Sequence, residues 1–151
     1  MGNDIPGKFI GLLIAFVLTV VMPFVNTTVE TEMLDRRSII TDVTNFIDEV
    51  IDSRQVSSSM LQELNTNLAA YGVIVDYDIT HYRRTVNPDP LNAGESYTSY
   101  YIVGDNEPWL KSDRISVRVR TVGYSNTQML AHRIAGLFVG ELDRTITARI
   151  R

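Results

Sequence analysis

Hydrophobic and polar positions divide this chain near residue 26. From Phe9 to Val25 (FIGLLIAFVLTVVMPFV) there is no charge, and Thr19 carries the one hydroxyl. As a helix this run is about 26 Å long at ~1.5 Å per residue, close to the ~30 Å hydrocarbon core of a bilayer. Beyond it the pattern becomes amphipathic. Val29, Met33, Ile40, Val43, Ile47 and Val50 recur at helical spacing, and Ile39, Phe46 and Ile51 widen the stripe. Glu30, Glu32, Asp35, Arg37, Asp42, Asp48 and Asp52 fill much of the remaining surface. Pro23 stands at the junction and either bends or breaks the helix, since it lacks an N–H and crowds the preceding turn. If it only bends, one rod of roughly 65 Å extends from Phe9 to about Asp52.

The pattern then changes twice. After Ser53–Ser58, Ser59 with Gln62 suggests a capping box that opens a second helix through Met60, Leu61, Leu64, Leu68 and Tyr71, with Gly72 as its stop. From Val73 the period falls to two. Val75, Tyr77 and Ile79 alternate with Asp76, Asp78 and Thr80 in a strand that can extend through Tyr82 to Val86. The stretch 87–94 is turn-rich, and Tyr97 to Val103 is expected to return as a hairpin partner. Ile115, Val117 and Val119 alternate with Ser116, Arg118 and Arg120 in a third strand. Thr127 to Leu137 is expected to be a short helix with Met129, Leu130, Ile134 and Leu137 inward. Leu142, Ile146, Ala148 and Ile150 mark a last strand. The order predicts an α+β fold in which an antiparallel sheet packs on the outer half of the long helix. The expected organisation is a short N-terminal segment (1–8), a transmembrane helix (9–26), an amphipathic helix continuing from it (27–53) and an α+β domain (54–151).

A cleaved secretory signal is the competing reading of the apolar run. Small residues would then follow at a cleavage site, whereas this run ends in Pro23, Phe24, Val25 and Asn26. The core helix of a soluble protein would carry a polar face, and this run has none. A retained anchor is therefore expected. Lys8 precedes the span and Arg36 and Arg37 follow it, so charge alone does not orient it.

Composition narrows the chemistry. With 14 Lys and Arg against 18 Asp and Glu the chain is mildly acidic, and no basic block points to nucleic acid. It has no cysteine, which excludes thiol catalysis and thiolate metal sites. His81 and His132 are far apart and lack a metal-binding context, so His81, on a strand, is expected to be structural. Asp76 and Asp78 share a strand face. Paired carboxylates can do acid–base work or hold a hard cation, but polar alternation on a half-wet strand produces the same pattern. Residues 104–107 offer oxygen ligands without the spacing of an EF-hand. Arg118 and Arg120, with Arg83 and Arg84, form either a basic patch or a solvated face balanced by the aspartates. Neither a nucleophile elbow nor a glycine-rich phosphate loop occurs, and Asn26-Thr27-Thr28 matches a glycosylation acceptor only by chance beside the span. No enzyme, catalytic residue, cofactor or metal site is expected.

The layout resembles that of type IV pilins and their relatives. Ser112-Asp113-Arg114-Ile115-Ser116-Val117-Arg118-Val119 is similar to the "G-D-x-V-x-V-x-V" strand of TadE-like minor pilins of tight-adherence systems. Tyr124, the apolar stretch 129–139 and the closing segment 142–151 resemble the parts of that family that follow. The resemblance implies a pilin-like structural subunit of a pilus or secretion apparatus, anchored by a single pass with its C-terminal domain extracytoplasmic. It also implies as partners membrane lipid, other pilin-like subunits or assembly-platform proteins, and homo-oligomers, with no nucleic acid. The sequence departs from the family's processing signal: Gly7 is followed by Lys8, and Leu12 stands where a glutamate is usual. Gly11 and Ala15 form a small-x-x-x-small pair that suits lateral helix packing. The alternative is a membrane-anchored extracytoplasmic binding or sensor module, with Tyr97, Tyr100, Tyr101 and Trp109 lining its site. Core packing explains the same aromatics.

Overall fold

A computed structural model describes residues 5–92, 94–104, 107–136 and 140–151. The elements are α1 (Ile5–Phe16), a π-helical turn (Val17–Val21), α2 (Met22–Ser53), α3 (Ser58–Ala69), β1 (Ile74–Pro88), β2 (Ser96–Val103), β3 (Arg114–Val122), α4 (Asn126–Ala135) and β4 (Asp143–Arg149). The fold is α+β, as expected. Its contacts define two units. One comprises residues 1–37 and 124–140, the other residues 38–123 and 141–151.

The second unit is a sheet covered on one face by helices. All neighbours are antiparallel, in the order β2-β1-β3-β4. Register puts Val75, Tyr77, Ile79 and His81 of β1 on the same face as Val119, Val117 and Ile115 of β3 and Ile146 and Ala148 of β4. Helix α2 contributes Ile39, Val43, Phe46, Ile47 and Val50 to the core, and α3 contributes Met60, Leu64 and Leu68. Leu142 and Ile150, flanking β4, complete it. Each fully buried aliphatic side chain in such a core is stabilised by about 1.5–3 kcal/mol relative to exposure. The predicted strand alternation is observed. The predicted stripe on α2 is observed from Ile39 onward, but Met33 is 65% exposed and nothing before Ile39 joins this core.

Helix α3 starts two residues earlier than the sequence template suggests. Ser57, not Ser59, is the cap: its hydroxyl accepts from the Met60 N–H at 3.3 Å, and the Met60 sulfur takes the Ser57 N–H at 3.4 Å. A thioether in the position usually held by Glu or Gln hides this box from a residue-type search. Tyr71 lies beyond the helix and donates its hydroxyl to Asp42 of α2 at 2.6 Å. Gly72, at φ +66°, then turns the chain into β1, a conformation that glycine adopts without strain.

In the first unit, α4 is capped by Ser125 and Gln128 and ends at left-handed Gly136. The predicted inward pair Met129 and Leu130 is in fact 45% and 46% exposed, while the polar Gln128 is buried. Gln128 spends its side-chain oxygen on the Ser125 N–H at 2.7 Å, so its burial leaves the start of the helix satisfied. The expectation for Leu137 lies outside the described residues, as does that for the side chain of Ile134.

Candidate functional site

Three arrangements carry the chemistry of this chain: the apolar stem, a buried polar node at one end of the sheet, and the helix-free sheet face.

The stem is helical throughout. Among the described residues, Pro6–Ser53 is the one helix long and apolar enough to cross a membrane, and none of its most apolar window is buried. Phe9, Leu12, Leu13, Phe16 and Leu18 are each more than half exposed. Pro23 does not break it. The five-residue π-helical turn lies just before the proline, and the Met22 N–H reaches back to the Val17 carbonyl. A wider turn there relieves the clash that a proline ring makes with the carbonyl four residues earlier, here that of Thr19. The hydroxyls of the stem are satisfied within it. Thr19 donates to the Ala15 carbonyl at 2.7 Å, Thr27 to Pro23 at 2.9 Å and Thr28 to Phe24 at 2.9 Å. Internal pairing of this kind is what an apolar solvent demands of a polar group. Phe9, Leu12, Leu13, Phe16 and Thr19 surround Ala15 in a shallow groove on the stem surface.

The polar node centres on Asp113, immediately before β3. Its carboxylate accepts from the Leu110 N–H at 2.9 Å, the His81 Nε2 at 2.8 Å and the Arg84 N–H at 3.4 Å, with the Arg83 Nε at 3.7 Å. Burial pushes its pKa up, but the Leu110, His81 and Arg84 hydrogen bonds outweigh burial and hold it below the usual carboxylate range. An ionised carboxylate only accepts, so the His81 Nε2 carries the hydrogen. Trp109 stacks on the His81 ring, with centroids 3.7 Å apart. Arg83 donates to the Pro108 carbonyl at 2.7 Å and to Glu107 at 3.2 Å, while its buried Nε finds no hydrogen-bond partner. These bonds tie the connection between β2 and β3 onto β1. His81 is packed inside this arrangement, with 4% of it exposed. Asp113, the centre of the node, was not singled out from sequence. Its burial beside His81 has no local signature, because the two are 32 residues apart.

The helix-free face is set by register. It carries Asp76, Asp78, Thr80, Tyr82 and Arg84 from β1, Arg114, Ser116, Arg118 and Arg120 from β3, and Asp143, Thr145, Thr147 and Arg149 from β4. Asp76 is held by Arg120, with Nε at 2.8 Å. Asp143 is held by Arg118 through both Nε and Nη2. The Arg118 hydrogen bond keeps the Asp143 pKa low, and Asp143 in turn raises that of Arg118. Asp76 and Asp78 line a cleft with Tyr77, Arg118 and Arg120, so their charge is balanced by arginine rather than aimed at a cation. Among the described residues no group of three or more His, Cys, Asp or Glu is placed to hold a metal ion.

The four aromatics of the binding-module reading do not share a site. Tyr97 and Tyr101 pair with Asn87 and Arg83 on one face of the hairpin, whereas Tyr100 pairs with Arg84 on the other. Arg114 covers the Tyr100 ring at 4.0 Å, and Trp109 is committed to His81. Of the proposed basic patch, Arg83 joins the polar node and Arg118 and Arg120 are ion-paired, which leaves Arg84.

No family model matches this chain, and no curated protein or solved structure matches it.

Proposed function

We propose that this protein is a membrane-anchored structural subunit of pilin type, working in a pilus or secretion apparatus. One observation carries the reading: an uncharged helical stretch whose apolar side chains stand exposed from Phe9 to Val20. In water that surface is a large unfavourable patch, and in lipid it is matched to its solvent. The Thr19 hydroxyl turned back onto the helix suits the same surroundings. The sheet unit, with its buried apolar core and with Asp76 and Asp143 already held by arginines, suits a building block better than an enzyme. In this reading the N-terminus is cytoplasmic, the α+β unit lies outside, and copies pack laterally through Gly11, Ala15 and the surrounding groove.

Alkaline extraction of membranes from cells expressing the full chain tests the anchor. The wild type should stay in the pellet. Leu13→Arg exchanges a residue that favours insertion by a few tenths of a kcal/mol for one that opposes it by roughly 2.5–3.5 kcal/mol, so it should move much of the protein to the supernatant. Wild-type protein released by alkali would overturn the proposal. Self-association in detergent should weaken in Gly11→Leu/Ala15→Leu; unchanged association would remove that pair from the interface.

A further inference from the structure

The helix-free sheet face is electrically divided. At one end Asp76, Asp78 and Asp143 accompany Arg118 and Arg120, and both arginines are paired. At the other end stand Arg84, Arg114 and Arg149, and among the described residues no carboxylate lies within ion-pair distance of any of them. Register places Arg114 directly opposite Arg149. Like charges so placed destabilise a sheet. The two side chains separate accordingly: Arg114 crosses β1 to lie on Tyr100, and Arg149 donates to the Ser112 hydroxyl at 2.7 Å. All three arginines are exposed.

The helix layer of the same unit has the opposite character. A cleft of about 110 Å³ between α2 and α3 is walled by Asp42, Asn45, Glu49, Glu63 and Asn67 over an apolar floor that includes Phe46 and Leu64. The sequence places no Lys or Arg between Ser38 and Ser53, nor within α3. The three carboxylates that wall this cleft match the three guanidinium groups left without an ion pair on the sheet face in number and opposite sign. Guanidinium forks suit carboxylate acceptors, and the flanking amides can accept the remaining N–H groups.

We infer that this unit docks head to tail on a second copy of the chain, with Arg84, Arg114 and Arg149 of one copy seated over the Asp42–Glu49–Glu63 cleft of the next. The contact joins two different surfaces, so it is heterologous and propagates into rows unless the rotation closes a ring. The inference rests on the subunit reading for its setting, a shared membrane that keeps copies at high effective concentration.

Charge exchange in the full chain, in neutral detergent micelles, tests it. Arg114→Glu/Arg149→Glu and Glu49→Arg/Glu63→Arg should each lose at least tenfold in self-association by sedimentation, while an equimolar mixture of the two should recover it. Association of the wild type should fall with added salt, since exposed pairs are screened within about 10 Å at ~0.1 M. Each variant's fold is checked by the emission of Trp109, the single tryptophan. Variants that associate like the wild type, or a mixture that stays apart, would overturn the inference. So would arginine-dependent binding of phosphatidylserine vesicles by a chain whose two charge-exchanged forms ignore each other, which would assign the patch to lipid. Failure here with the protein still resistant to alkali removes the docking alone; release by alkali removes the subunit reading itself.

Discussion

Replacing Asp113 by alanine should unfold the sheet unit far more readily than any surface change. The carboxylate is 1% exposed and serves three donors: Leu110 N–H, Arg84 N–H and His81. Hydrogen bonds to a charged acceptor are worth about 1.5–3 kcal/mol each, but such values do not add. Removing one partner of a buried, paired charge costs about 3–5 kcal/mol, because the remaining groups keep their desolvation penalty. We expect a loss in that range for Asp113→Ala. Asp113→Asn should lose less, since the amide keeps one acceptor oxygen. The readout lies within the node: Trp109 stacks on His81, so its emission follows denaturant unfolding of the full chain in micelles. Acidity gives an independent check. The folded pKa of Asp113 is depressed, so its contribution is present above the unfolded value of about 3.9 and is lost as pH falls through the lower folded value. Asp113→Asn should flatten the acid limb of the stability curve. An Asp113→Ala midpoint close to wild type, with an unchanged acid limb, would refute the claim that this carboxylate holds the connection between β2 and β3 in place.

Two further outcomes follow from the packing. Ile47→Ala removes a side chain that is 1% exposed between α2 and the sheet, and should cost about 2–5 kcal/mol in the same unfolding assay. Ser57→Ala should cost about 1 kcal/mol through the loss of the α3 cap, and Ser59→Ala much less; equal effects would contradict the observed cap position.

The elements that are legible in the sequence are those where one period dominates. Strict alternation from Val75 to Ile79 and from Ile115 to Val119 gives both strands and their buried faces, because side chains on a strand have only two directions. The α2 stripe is legible from Ile39 for the equivalent helical reason, and over-extends to Met33 because spacing alone does not say where a partner surface begins. Helix α4 shows the limit of apolar spacing. Met129 and Leu130 look inward by residue type, yet the cap buries Gln128. The polar node is invisible for a different reason. His81, Trp109 and Asp113 meet only once the hairpin and β3 are in register, so no local pattern joins them. Likewise, the arginines were visible as residues, but their division into paired and unpaired sets depends on which strand faces which carboxylate.

The widened turn at Val17–Val21 alters how the stem presents its sides. Each residue of a regular α-helix advances the azimuth by about 100°, and a π-helical turn holds roughly one residue more than an α-helical one. Positions before Phe16 and after Met22 are therefore out of phase with a single continuous wheel by about that angle. A lateral stripe drawn straight from Gly11 through Pro23 would join residues that point different ways. The stem therefore presents two short surfaces, rotated against each other, rather than one continuous stripe.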